Sequence, residues 1–176
     1  MQIDYMTGSY RGKVIFWQFD IAGKIHTGKV MDYDPKSGHN TGYFNWFHKW
    51  NKNVEKELGR EFVLKQCLYG EHLLGPNPTR PVALVEAYKT AHVGAILMPW
   101  MVWVAVDSMS GLTAERLRPL KGRDVVLFPD EGKGYEVWRQ KIEDISHAVG
   151  FDYCISAFME GREHGADIAD VAVAGE

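Results

Sequence analysis

Apolar and polar positions alternate in two runs near the start of the chain. Residues 14–20 are rich in β-formers, residues 21–24 read as a turn, and residues 25–33 alternate again until Asp34-Pro35-Lys36-Ser37-Gly38 stops them. A period of two broken by turn formers predicts a β-hairpin or meander. The period then changes. Trp46, Trp50, Val54 and Leu58 recur every four residues, with Asn51, Lys52 and Glu55 mostly opposite. That spacing predicts a helix over 45–58 whose aromatic stripe is buried. Residues 61–74 follow neither period and end in Gly75-Pro76-Asn77-Pro78, the best linker in the chain.

Beyond the linker the runs become short and wholly apolar. Residues 81–86, 101–106, 124–128 and 153–158 read as strands, and residues 88–98, 113–120 and 135–149 as the helices between them. In the last helix Trp138, Ile142, Ile145 and Val149 share one face. Alternating strands and helices imply a parallel sheet, because a parallel pair needs a crossover. The expected fold is therefore α/β: a four-stranded, mainly parallel sheet flanked by helices, preceded by a β-hairpin plus helix layer. The expected division is an N-terminal unit over 1–75 and an α/β unit over 80–176. Right-handed crossovers bring all strand C-termini to one edge, where ligands bind in such sheets.

Composition narrows the class. The chain has 176 residues, 45% of them hydrophobic, as in a folded globular domain. The longest apolar run, 93–106, is broken by Pro99 and is shorter than the ~20 residues a membrane helix needs, so no membrane partner is expected. The two cysteines, Cys67 and Cys154, form no CxxC pair. That argues against a zinc site and suits a reducing cytoplasm, with both thiols in the core. Charge is uneven: residues 1–80 carry eleven Lys or Arg against eight Asp or Glu, and residues 81–176 nine against fifteen. A basic half suits phosphate and an acidic half suits a divalent cation.

The expected edge of the sheet gathers acids. Glu86 ends the first parallel strand, and Asp130 and Glu131 follow the third. Oxygen ligands converging there suit Mg²⁺, which takes one or two carboxylates plus substrate phosphates. The bland alternative is that Asp130 and Glu131 are loop acids before Gly132.

Three segments carry a resemblance. Val85-Glu86-Ala87-Tyr88-Lys89-Thr90-Ala91 is similar to the first motif of toprim domains, a strand ending in Glu. Leu127-Phe128-Pro129-Asp130-Glu131-Gly132 resembles the second motif, a strand running into an Asp-x-Asp pair. His164-Gly165-Ala166-Asp167-Ile168-Ala169-Asp170 resembles the acidic tail of primase-type toprims. Leu68-Tyr69-Gly70 resembles the segment preceding the toprim core in phage and plasmid primases, and the stretch 66–74 resembles an uncharacterised toprim-like family of bacterial mobile elements.

The resemblance implies a DNA-processing protein of the primase class that performs Mg²⁺- or Mn²⁺-dependent nucleotidyl transfer on single-stranded DNA. It implies Glu86 as the proton-shuttling catalytic residue, Asp130, Glu131 and Asp167 as metal ligands, and Lys89 and Lys133 as phosphate contacts. DNA, nucleotides and other mobile-element replication proteins are the expected partners. Tyr43 and Phe44, outside the helical stripe and close to His48, Lys49 and Lys52, are the expected base-stacking residues. Two departures shape the alternatives. Gly132 stands where the second motif normally offers another Asp, and the cysteine count excludes the zinc ribbon of replicative primases. These favour a degenerate, non-catalytic module that binds nucleic acid or scaffolds a complex. A toprim nuclease is the third reading.

Two decoys drop out. The segment 23–30 mimics a phosphate-binding P-loop, but Val30 stands where Ser or Thr should hold Mg²⁺, and strand rather than helix follows. No Gly-x-Gly-x-x-Gly supports a dinucleotide enzyme.

Overall fold

Alternation at the N-terminus produces a meander because each turn is built for it. The computed structural model describes residues 7–130, 133–158 and 168. In it β1 (Thr7–Tyr10), β2 (Lys13–Phe19), β3 (Ile25–Tyr33) and β4 (Asn40–Trp46) form an antiparallel sheet in chain order. Arg11 and Gly12 join β1 to β2, both at positive φ (51° and 74°), the conformation a two-residue hairpin turn requires. Asp20 ties the next turn by accepting the backbone N–H groups of Ala22 and Lys24 at 3.0 and 2.9 Å.

The helix expected over 45–58 is corrected. Residues 40–46 are strand, and only two short helices follow, α1 (Phe47–Trp50) and α2 (Val54–Leu58). Neither buries a residue, so the four-residue stripe is not core. Pairing decides this. β3 is long enough to offer a second edge, and Met31 pairs with Phe44 and Lys29 with Trp46. Four-residue spacing of aromatics that are also β-formers could not distinguish the two outcomes.

The second half matches the expected plan: β5 (Val82–Val85), α3 (Tyr88–Leu97), β6 (Val102–Ala105), α4 (Ala114–Leu117), β7 (Asp124–Phe128), α5 (Lys133–Val149) and β8 (Asp152–Ile155). The sheet order is β6-β5-β7-β8, with every pair parallel. β5, with all four residues buried, is central, as a strand covered on both faces must be. One face packs Leu84, Val104 and Leu127 against Trp138 and Ile142 of α5. The other packs Ala83, Val85, Trp103 and Phe128 against Tyr88 and Ala91 of α3.

That second face also receives the N-terminal sheet. Phe16 of β2 lies 5.7 Å from the rings of Tyr69, Tyr88 and His92. Gln18, fully buried, donates from Nε2 to the Tyr88 hydroxyl at 2.7 Å. The stretch 61–74, which followed no period, is mostly extended and ends in one turn of 3-10 helix, Glu71–Leu73. Its Tyr69 exchanges two 3.0 Å backbone hydrogen bonds with Ala105 and so closes the free edge of β6. The expected burial of both thiols is half right. Cys67 is buried, whereas Cys154 is exposed on β8, the edge strand. Among the described residues no helix is long and apolar enough to cross a membrane.

α3 approaches β6 through a glycine. A Cβ at Gly94 would fall 2.4 Å from two carbons of the buried Trp103 ring. Gly94→Ala is therefore expected to destabilise the protein by about 1–3 kcal/mol through overpacking, read as a lower urea midpoint at unchanged slope.

Candidate active site

Parallel topology gathers three carboxylates at one edge. Glu86 leaves β5 directly, Asp107 follows β6 by two residues, and Asp130 follows β7 by two. Val85 pairs with Ala105 on one side and Phe128 on the other, so Glu86 exits between the other two. The ladder runs on past the strands: Val106 N–H donates to Val85 C=O at 3.1 Å and Asp107 N–H to Glu86 C=O at 2.9 Å. Asp107 adopts φ 80°, a left-handed conformation that Asp tolerates better than most residues but that still costs energy.

A cation reaches this rim from the other sheet. Lys29 of β3 places Nζ 2.6 Å from Asp107 Oδ1. The same ammonium lies 5.3 Å from the centroid of the Phe44 ring and 5.5 Å from that of Tyr88, within cation–π range. Burial pushes the Glu86 carboxyl above its ordinary pKa, and the Asp107 charge pushes it further. Lys29 and the Met109 backbone N–H pull the other way. A half-buried carboxyl beside a second acid is a group poised to hold or release a proton.

The expected site residues divide as follows. Glu86 and Asp130 share the sheet edge. Lys89 sits in the first turn of α3, three residues beyond Glu86, and is half-buried. Glu131 and Asp167 lie outside the described residues, as does the side chain of Lys133, which begins α5. Among the described residues no three His, Cys, Asp or Glu side chains form a metal-binding group. Glu86 and Asp130 follow adjacent strands, and their carboxylate oxygens are the donor type that Mg²⁺ takes. Tyr43 and Phe44 are separated. Consecutive strand residues face opposite ways: Phe44, 60% exposed, shares the Lys29 side, while Tyr43, 37% exposed, stacks under Lys13 Nζ at 4.3 Å.

Sequence reasoning missed Asp107 and Lys29. Asp107 begins a Ser-rich loop with no motif around it. Lys29 falls in the P-loop mimic that the sequence excludes, and its meaning depends on how the two sheets dock.

An antiparallel four-stranded sheet packed on a parallel α/β sheet is similar to the fold of primase catalytic cores. The E. coli primase catalytic core superposes with a TM-score of 0.58 at 17% identity, covering 95% of this chain and 49% of that one. A DNA primase domain from Pseudomonas aeruginosa gives 0.55 at 16% identity, over 95% and 48%. A DnaG primase catalytic domain bound to single-stranded DNA gives 0.55 at 15% identity, over 98% and 52%. The chain thus spans about half the length of these structures. By sequence the chain belongs to the DUF6371 family, a domain of unknown function, whose model matches residues 2–131. No curated protein matches it.

The electrostatics of the rim have a definite sign. Asp107→Asn should lower the Glu86 pKa by removing a like charge, and Lys29→Met should raise it; ¹³C carboxyl titration by NMR reads both. Because the folded value lies above the ordinary 4.5, the folded state holds the proton longer than the unfolded chain. Stability then falls as pH rises from about 4.5 through the raised value. Glu86→Gln should flatten that part of the stability–pH curve in urea unfolding.

Proposed function

We propose that this chain is a DNA-processing protein of the primase class, with Mg²⁺-dependent nucleotidyl transfer on single-stranded DNA centred on Glu86. The observation that carries the reading is the meeting of Glu86, Asp107 and Lys29 at the strand ends of a primase-core fold. Glu86 is the catalytic base: it takes the proton from an attacking 3′-hydroxyl as oxygen bonds to the α-phosphorus and pyrophosphate departs. Its raised affinity for a proton suits that task. Asp130, with Glu131 and Asp167, is assigned to hold the metal. Bound Mg²⁺ would supply charge neutralisation at the phosphoryl oxygens. Lys29 presents a positive charge where a polyphosphate would approach, and Lys89 and Lys133 are assigned to the nucleic-acid backbone.

A second reading, a non-catalytic toprim that binds nucleic acid, has one observation of its own. The Lys29–Asp107 pair neutralises a rim carboxylate, and Gly132 takes a ligand position of the motif. Primer synthesis separates the two. On a single-stranded template with ribonucleotides and Mg²⁺, Glu86→Gln should reduce the rate by about 10²-fold or more. Equal rates in variant and parent would remove Glu86 from the mechanism. Mn²⁺ titration should broaden NMR signals around Glu86 and Asp130 first, and Asp130→Asn should abolish that broadening. DNA binding that persists in EDTA, without primer synthesis, would favour the non-catalytic reading.

A further inference from the structure

The reverse face of the N-terminal sheet carries a second feature that the rim does not use. Phe16, Gln18 and Lys29 point toward the α/β layer, so Ile15 and Trp17 point away from it. There a cavity of about 500 Å³ opens between β1, β2 and α1. Four aromatic rings line it: Tyr10, Trp17, Phe47 and Trp50. They meet edge to face, Trp17 with Phe47 at 4.7 Å and Tyr10 with Trp50 at 4.9 Å. None of the four is fully buried, and Tyr10 is half exposed.

The seat of Trp17 is built into the sequence. A Cβ at Gly28 would come within 2.8 Å of the Trp17 ring, and one at Gly8 within 2.9 Å of its Nε1. Two neighbouring strands thus leave out side chains where the indole lies against the sheet. Among the described residues lining the cavity Arg11 is the charged one, with its guanidinium 5.1 Å from the Tyr10 ring centroid. Lys49 and Lys52, both exposed, bracket Trp50 in the chain. Ser9 and Asn51 add hydrogen-bonding groups to the lining.

We infer that this aromatic box binds a base of single-stranded nucleic acid, with Arg11 on the adjoining phosphate. The argument is complementarity. Partly exposed rings offer π-faces to a planar guest, and Arg11 at the lining, with Lys49 and Lys52 flanking Trp50 in the chain, offers partners to a polyanion. An apolar protein segment would use the rings but leave the cations unmatched. The inference is independent of chemistry at Glu86, because the two places lie on opposite faces of one sheet.

The test compares a fluorescein-labelled dT₁₂ with an abasic oligomer of equal length, by anisotropy at one salt concentration. Stacking on an aromatic side chain is worth enough per base that Trp50→Leu should weaken dT₁₂ binding by about tenfold. Binding of the abasic oligomer should hardly change. Arg11→Ser should weaken both. Asp130→Asn, which alters the rim, should leave the dT₁₂ contrast intact, so failure of the catalytic proposal reads out separately. Should Trp50→Leu not fold by circular dichroism, photocrosslinking of wild-type protein to a 5-bromouracil oligomer replaces it; adducts on Tyr10, Trp17 or Trp50 support the site. Equal affinity for dT₁₂ and abasic oligomer, crosslinks confined to other faces, or concentration-dependent self-association that closes the cavity would overturn the inference.

Discussion

The structure depends on the contact between two unlike sheets. Phe16 enters a ring cluster made by Tyr69, Tyr88 and His92, with Tyr69 and Tyr88 stacked at 4.5 Å. The four rings come from three parts of the chain: Phe16 from a strand of the first sheet, Tyr69 from the extended segment before the linker, and Tyr88 and His92 from the helix that follows β5. The Tyr69 hydroxyl bonds to His92 Nε2, and burial pulls His92 down to a pKa of about 4. His92 is therefore neutral at physiological pH, which an aromatic core requires. Phe16 is the cross-strand partner of Lys29, so the ring that enters this cluster and the ammonium that reaches Asp107 are carried by one strand pair.

That dependence explains how a site is made from elements that do not fold around it. The parallel sheet alone delivers Glu86, Asp107 and Asp130 to one edge, because its crossovers all run the same way. Left there, the Asp107 charge would push the neighbouring Glu86 carboxyl up unopposed. The N-terminal sheet supplies the compensating charge through Lys29, and Phe44 and Tyr88 narrow the space in which the ammonium can sit. The Glu86 carboxyl still lies above its ordinary pKa, so compensation is partial.

The α/β half was legible because its physics is local. Wholly apolar tetrapeptides such as Val82–Val85, separated by helical stretches, admit few arrangements other than a parallel sheet. Glu86 and Asp130 followed at once, since position after a parallel strand fixes the edge. The first half was harder. Trp46 and Trp50 satisfy a helical period while being good strand formers, and the outcome turned on a long-range partner, the second edge of β3. Asp107 and Lys29 were illegible for the same reason at larger scale. Each is unremarkable in its own segment, and they meet across 78 residues.

The Lys29–Asp107 pair bears on both functional readings. Its side chains are only 16% and 14% exposed, and in a pair so shielded from water the attraction is largely offset by lost hydration. A lysine can exchange one anionic partner for another as a point charge, without the two-pronged geometry an arginine would demand. In this structure the charge that Lys29 brings is shared: it pairs with Asp107 and also pulls the Glu86 carboxyl back toward its ordinary pKa. One lysine carried in by the N-terminal sheet therefore sets the charge balance of two acids on the other sheet, which is why that balance depends on how the sheets dock.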